Sequence, residues 1–529
     1  MTSTLLPDTQ FHQNWTVRKP VVTGANGLVA SQHKAAAEVG AEVLRAGGNA
    51  VDAAVATSFA ISVVEPWMSG LGGGGYMQIG LADKGAFRTI NMGMVAPKRL
   101  RLEDYPLAEG GGVAGDLFAW PRVVDDRNIT GYLSIAVPSY VAGIALAWER
   151  YGSMPWADLL APAIAMAEQG LPATWYMALR TLGAARELAQ FPASSEVYLP
   201  DGLPPMPAQG QPIAYRPLGR LPDTLKRLAE AGAQDFFTGD IAAEIERDAK
   251  AGGSPLDRED LAAYEATDGP TIARDYGRGT VHVAPGLTAG PTLLRVLELV
   301  DGRIGAPGAP DASTFGVWAQ ALADAYDERF RTMGDVDDRR DPASTTNLTV
   351  ADKDGNMVCL TQTLLSVFGS KVVFPGTGIL MNNGIMWFDP REGSPNSLQP
   401  GKRPLSNMCP VIVARDGKPW FAVGGSGGRR IMPAVFQVLS MLAVHGMSLD
   451  DTCHHPRIDV SGEGRCTVDP ELGDEVTRAI EALMPVVMGE NALFPHHYAC
   501  PNVVLRDPKS GEFQGMCHTM TPPSGVVAG

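Results

Sequence analysis

From Ser344 to Thr363 the chain reads STTNLTVADKDGNMVCLTQT. Thr349 and Val350 lie on one side of a polar break and Met357, Val358 and Leu360 on the other, with Asp352-Lys353-Asp354-Gly355 between them. That pattern predicts a β-hairpin closed by a three-residue loop, with Gly355 in the left-handed conformation that only glycine adopts at little cost. Asp352 then faces Asn356, and counting outward sets Thr345 opposite Thr363. A second hairpin is predicted from residues 410–414 and 420–423 around an Asp416-Gly417 turn. It empties into Gly424-Gly425-Ser426-Gly427-Gly428-Arg429-Arg430. Residues 431–444, apolar nearly all round, predict a buried helix.

Helical periodicity starts near the N-terminus. Residues 33–45 stop at Gly47-Gly48, and Asn49 is placed to cap an alanine-rich helix over 50–64. Within the stretch Ser69 to Gly80, the glycines at 70 and 72–75 precede a short strand at 76–79. A dinucleotide site needs the reverse order, strand then glycines then helix, so close backbone approach beneath a neighbouring site fits better. Further helices are expected over 142–151, 156–168, 176–189, 224–231, 240–252, 257–266 and 314–333. A strand-loop-helix unit is expected over 279–300, residues 1–26 read as a loosely docked arm, and 193–223 read as a surface wrap. The charged stretch 335–342 is an exposed approach to Thr345, where a chain cut is tolerable. Two hairpins with buried helices predict stacked sheets covered by helices on both sides.

Composition narrows the class. Of 529 residues 45% are apolar and 19% charged, with net charge −15 and no basic run, which argues against nucleic acid or anionic membrane as partner. The first twenty residues hold no apolar core of signal-peptide length, and no apolar run is long enough to span a bilayer, so a cytoplasmic location is expected. The six cysteines (Cys359, Cys409, Cys453, Cys466, Cys500, Cys517) form no CxxC pair and read as reduced thiols.

Three chemistries suggest themselves. A threonine hydroxyl becomes a useful nucleophile only beside a base, and a cut before Thr345 would supply one, an α-amine of pKa about 8. The plain alternative is that Thr-Thr merely opens a strand. The glycine corner at 424–428 aims several N–H groups one way, which suits a developing negative charge or simply a tight turn. The same residues match GxSxG with Ser426 central, for which Asp451 and His454 or His455 are the nearest partners. Cys453-His454-His455 and His496-His497 lack the spacing of a zinc site, so no metal or other cofactor is expected.

Several blocks together resemble the γ-glutamyltranspeptidase family of N-terminal nucleophile hydrolases. They are SQHKAAAEVGAEVLRAGGNAVDAAVA, SGLGGGGYM, STTNLTVADKDGNMV, GILMNN, GKRPLSNMCPVIV and GGSGGRRI, in family order from about Val29 to Gly515. The resemblance implies an α+β fold, a four-layer αββα sandwich with additional large-subunit helices. It implies a proenzyme cut at Ser344–Thr345 into a large subunit, residues 1–344, and a small one, 345–529, with a dimer of such heterodimers left open. It assigns Thr345 as nucleophile, Thr363 as the threonine touching it, and Gly427 and Gly428 as the oxyanion pair. Asn347 stands where the family usually has histidine.

The departures concern substrate. The family arginine that holds a γ-glutamyl α-carboxylate falls at Gly93, and the aspartate that holds its ammonium falls at Trp387. Leu365 replaces an asparagine, Ser406-Asn407 replaces a double serine, and the segment after Phe388 is short. Losing both charged clamps removes recognition of a zwitterion. The expected activity is therefore hydrolysis of a small amide without γ-glutamyl specificity. One version has an apolar acyl pocket from Met92, Met94, Leu365, Met386 and Trp387, as in cephalosporin acylases. The other takes an oxamate-type acid amide whose carboxylate meets Arg429 or Arg430, with Ser406, Asn407 and Asn383 as polar contacts. A true γ-glutamyl hydrolase or transpeptidase and a non-catalytic binding protein are the alternatives.

Overall fold

The computed structural model describes residues 15–114, 120–305, 307–333, 344–494 and 496–529. The stretch 335–342 lies outside them.

The nucleating features are local. Asn49 accepts the N–H groups of Val51 and Asp52, and Asp52 returns a bond to the Asn49 N–H, a full capping box at the head of Ala50–Val64. Every residue of that helix is buried. The hairpin Ser344–Asp352/Met357–Leu365 closes as expected: the Asp352 N–H bonds the Asn356 carbonyl at 3.1 Å, and Gly355 has φ +87°. The Asp352 carboxylate accepts from Asp354 N, Asn356 N and Ala50 N, so one side chain fixes the turn and ties it to the start of the buried helix. The second hairpin is Val411–Arg415/Lys418–Ser426, with positive φ at both Asp416 and Gly417, a turn whose twist matches the strands.

Each hairpin forms the middle of a seven-stranded sheet. In the first, the order is Gly525–Ala528, Gly27–Ser31, Ser344–Asp352, Met357–Leu365, Gly74–Leu81, Ala86–Met92, Thr267–Pro270. In the second it is Val22–Gly24, Phe513–Cys517, Cys500–Arg506, Lys418–Ser426, Val411–Arg415, Gly279–Val283, Ile272–Tyr276. The sheets meet through Leu28, Ala30, Met357 and Cys359 on one side and Ile412, Ala422, Val504 and Phe513 on the other. Helices Lys34–Arg45 and Ala50–Val64 cover the outer face of the first sheet. Helices Gly290–Val300, Ala312–Thr332 and Ile431–Ser440 cover that of the second. The protein is an α+β, four-layer αββα sandwich with further helices packed into the core cluster of the first sheet's helical layer. Among the described residues no helix is long and apolar enough to cross a membrane.

Some elements differ from the sequence expectation. Residues 22–24 are an edge strand rather than a loose arm, and the Lys19 ammonium beside them bonds Thr521 O and Ser524 O. The expected helix over 176–189 is two, Trp175–Leu182 and Ala185–Leu188, broken at Gly183-Ala184. The expected helix over 257–266 ends at Ala262, because the chain must leave it to become the edge strand Thr267–Pro270. The buried helix starting at Ile431 widens into a π-turn at Met441–His445, where the Arg278 guanidinium takes the Leu442 and Ala443 carbonyls.

Candidate active site

The open end of the first hairpin holds two hydroxyls. Thr345 Oγ1 lies 3.4 Å from Thr363 Oγ1, and both residues are buried. Regular pairing runs outward to Thr346–Gln362 and then slips: Ser344 pairs with Leu365, so a bulge sits at Thr345. Thr363 Oγ1 also accepts the Leu365 N–H at 2.8 Å, bending the chain back on itself. Leu365 takes φ +84° there, followed by Phe368 at +61° and Lys371 at +66°, conformations that cost a branched or bulky residue of order 1–3 kcal/mol each. Asn383 holds this strained turn from inside: its Nδ2 donates to Ser366 Oγ (2.7 Å) and Ile129 O (2.9 Å), and its Oδ1 accepts from Ser366 N (3.0 Å). The glycine run supplies the close approach its order suggested: a Cβ on Gly73 would stand 2.3 Å from Thr363 O.

Asn347, two residues past Thr345, donates to Leu360 O (2.9 Å) and Thr361 Oγ1 (3.2 Å), inside the hairpin. Thr346 Oγ1 donates to Glu65 Oε2 at 2.7 Å. Glu65 caps the C-terminal end of the buried helix, and burial raises its carboxyl to about 7.

The second hairpin delivers the glycine corner. Gly427 has φ +133° and Gly428 +57°, between strand Lys418–Ser426 and helix Ile431–Ser440. A Cβ on Gly427 would meet Ala499 Cα and Cβ at 2.8 Å, so glycine is required by conformation and by space. N–H groups at such a corner, ahead of a helix, can stabilise an oxyanion.

Beside the corner is a cavity of about 690 Å³, lined by Glu65, Arg180, Lys371, Gly427, Arg430 and His496 among others. Burial lowers His496 to about 4, which leaves it neutral. The two sequential arginines diverge. Arg430 lines the cavity and donates to His496 O (2.6 Å), while Arg429 is buried with its guanidinium over the Phe330 ring at 4.9 Å. Ser406 is buried elsewhere, its carbonyl taken by Arg329 at 2.7 Å; Asn407 beside it is nearly buried, and neither lines the cavity. Trp387, Leu365, Met386 and Met94 pack into one apolar cluster with Tyr76 and Trp120, and Met92 lies in another. These five side chains fill space and do not border the cavity. At Gly93 a Cβ would stand 2.5 Å from the Tyr76 hydroxyl, so Tyr76 holds the room a longer side chain would need.

The GxSxG reading does not assemble. Ser426 Oγ is buried and accepts from Gln32 Nε2, Asp451 bonds Ser448, and His454 Nδ1 faces Asp450 O. Among the described residues no three His, Cys, Asp or Glu side chains converge. All six cysteines are free, and all but Cys453 are buried. Sequence reasoning missed Glu65, Arg180 and Lys371 as cavity residues. The signal for Glu65 was present: a carboxylate closing the C-terminal end of a mostly apolar, fully buried helix, its side chain with no capping role like that of Asp52 at the other end.

The family model of gamma-glutamyltranspeptidase matches residues 36–341 and 336–494. The acylase ACY 1 proenzyme of Pseudomonas sp. (strain V22) is 31% identical over 506 residues, 89% of this chain and 88% of that protein. The glutathione hydrolase proenzyme of Escherichia coli (strain K12) is 30% identical over 492 residues, 82% of this chain and 81% of its own. The crystal structure of cephalosporin acylase from Bacillus halodurans superimposes with a TM-score of 0.82 at 26% identity, over 98% of each chain.

Proposed function

This chain belongs to the gamma-glutamyltranspeptidase family, and from that premise we propose that it is a self-processing amide hydrolase with Thr345 as nucleophile. In the precursor, Thr345 Oγ attacks the Ser344 carbonyl, the peptide nitrogen leaves as an amine, and water hydrolyses the resulting ester. The products are residues 1–344 and 345–529. The freed Thr345 amine then takes the Oγ proton as Oγ attacks a substrate amide. The Gly427 and Gly428 N–H groups hold the tetrahedral oxyanion, Thr363 orients Oγ, and the same proton goes to the departing amine. Water, deprotonated by the Thr345 amine, releases the acid. The observation that carries this reading is the pair of hydroxyls, Thr345 and Thr363, 3.4 Å apart at a bulged hairpin end.

The relatives include both an acylase and a glutathione hydrolase. Two features support an acylase-type substrate over a γ-glutamyl one: Tyr76 fills the room beside Gly93, and Trp387 is packed in the apolar cluster. With Met92, Met94, Met386, Leu365 and Trp387 off the cavity and Arg430 on it, an amide carrying a carboxylate fits better than a purely apolar one. The test pairs a denaturing gel with turnover of acyl 4-nitroanilides and of γ-glutamyl 4-nitroanilide. Two fragments and preferential acyl-anilide hydrolysis are expected; robust γ-glutamyl turnover refutes the specificity, and one unprocessed, inert chain refutes the enzyme.

A further inference from the structure

We propose that Arg180, on helix Trp175–Leu182, anchors an anionic group of the substrate, a carboxylate, in the cavity beside Gly427. This inference rests on the amide-hydrolase reading and names what that hydrolase selects.

Arg180 has charge without a matching partner. Its Nε is buried and has no hydrogen-bond acceptor, and one Nη donates only a long 3.6 Å contact to the Met68 sulfur. The guanidinium otherwise lies 6.0 Å from the Tyr176 ring centroid. Among the described residues no carboxylate stands within ion-pair distance of it. Glu65 lies on the same wall, but burial keeps its carboxyl partly protonated near neutral pH, so it offsets Arg180 incompletely. Of the other two acidic residues lining the cavity, Asp126 is already paired with Arg122 and Glu187 is partly exposed on the short helix Ala185–Leu188; against them stand three cations, Arg180, Lys371 and Arg430.

The remaining cations reinforce the field. Arg430 also lines the cavity, donating to the His496 carbonyl and standing 4.0 Å from Asp459, whose own carboxyl burial raises to about 6. Lys371, whose ammonium donates to the Gly369 carbonyl at 3.0 Å, is a third cation in the lining. The Arg180 side chain is half-buried and lines the cavity; a guanidinium there suits the planar, two-oxygen carboxylate, and removal from bulk water strengthens the pairing. A cavity of about 690 Å³ admits a substrate of that kind with room for a leaving amine. The arginine comes from a different element than the one where the family's usual clamp would fall, Gly93.

The test uses the processed protein and two anilides that differ in the terminal group, succinyl 4-nitroanilide and butyryl 4-nitroanilide, with calorimetric titration of succinate as a readout independent of turnover. Succinyl should exceed butyryl by at least tenfold in kcat/KM. In Arg180→Ala that ratio should fall at least tenfold, through KM, and Arg180→Lys should retain part of it. Succinate should bind the wild type and lose at least tenfold in affinity in Arg180→Ala. Butyryl turnover equal to or above succinyl in the wild type, with no succinate binding, overturns the anchor and leaves the hydrolase standing. Arg180-dependent succinate binding with neither anilide cleaved overturns the hydrolase and leaves the anchor. If Arg180→Ala does not fold, Arg180→Gln takes its place with the same criteria.

Discussion

Replacing Glu65 by glutamine should make the protein more stable at alkaline pH and leave its stability near pH 4.5 almost unchanged. Glu65 is fully buried, its Oε2 takes the Thr346 hydroxyl at 2.7 Å, and burial raises its carboxyl from 4.5 to about 7. Below pH 4.5 the group is protonated whether the chain is folded or unfolded, so it costs nothing. Between 4.5 and 7 the unfolded chain ionises first, and stability falls as pH rises; above 7 the cost is complete. At 1.36 kcal/mol per pH unit the cost reaches about 3 kcal/mol. Glutamine keeps the shape and an acceptor for Thr346 without ionising, so it removes that cost. A 529-residue chain unfolds with an entropy of about 1 kcal/mol per kelvin, so the gain corresponds to a Tm difference of roughly 3 °C. The assay is thermal unfolding from pH 4.5 to 8.5, both chains carrying Thr345→Ala so that each stays a single polypeptide. Any fixed effect of the glutamine amide appears at every pH and cancels in the comparison. A Tm gap that is constant across the range, or widest at low pH, refutes the assignment of Glu65 as a buried carboxyl whose neutral form the fold prefers.

Gly427→Ala forces a Cβ to 2.8 Å from Ala499 at φ +133°, so it should lower kcat by about 10²-fold, the scale of one oxyanion donor, as read in steady-state anilide kinetics. Thr363→Val keeps the branched shape but removes the hydroxyl 3.4 Å from Thr345; slower fragment appearance on a time-resolved gel and a lower kcat at little-changed KM are expected. Gly93→Arg should fail to create γ-glutamyl turnover and should lower Tm, because the new Cβ meets the Tyr76 hydroxyl at 2.5 Å. A chromogenic γ-glutamyl assay and a melting curve check it together.

What the sequence makes legible here is what short-range chemistry decides. The Asp-Gly turns, the Asn49 cap and the alternation along both hairpins follow from neighbours within a few residues, so those elements, the register out to Thr346–Gln362 and the nearness of the Thr345 and Thr363 hydroxyls agree with the pattern. The bulge at Thr345 and the positive φ of Leu365 do not follow from pattern, because they arise where the hairpin meets Asn383 and the glycine run. Glu65 and Arg180 belong to helices more than a hundred residues apart, and only packing brings both to one cavity. Direction is equally hidden: Arg429 and Arg430 are adjacent in sequence, yet the helix start sends one beneath Phe330 and the other into the cavity. Met92, Met94, Met386, Leu365 and Trp387, expected in an acyl pocket, are core instead, because an apolar side chain carries no local signal of which cavity or cluster it will face.

Self-cleavage before Thr345 is the central claim, and intact-mass spectrometry with N-terminal sequencing of the purified protein tests it most directly. Wild type should give two chains, one beginning at Thr345, while Thr345→Ala gives one full-length, inactive chain and Thr345→Ser still divides. A Thr345→Ala protein that is cut at the same bond and hydrolyses amides like wild type would contradict it.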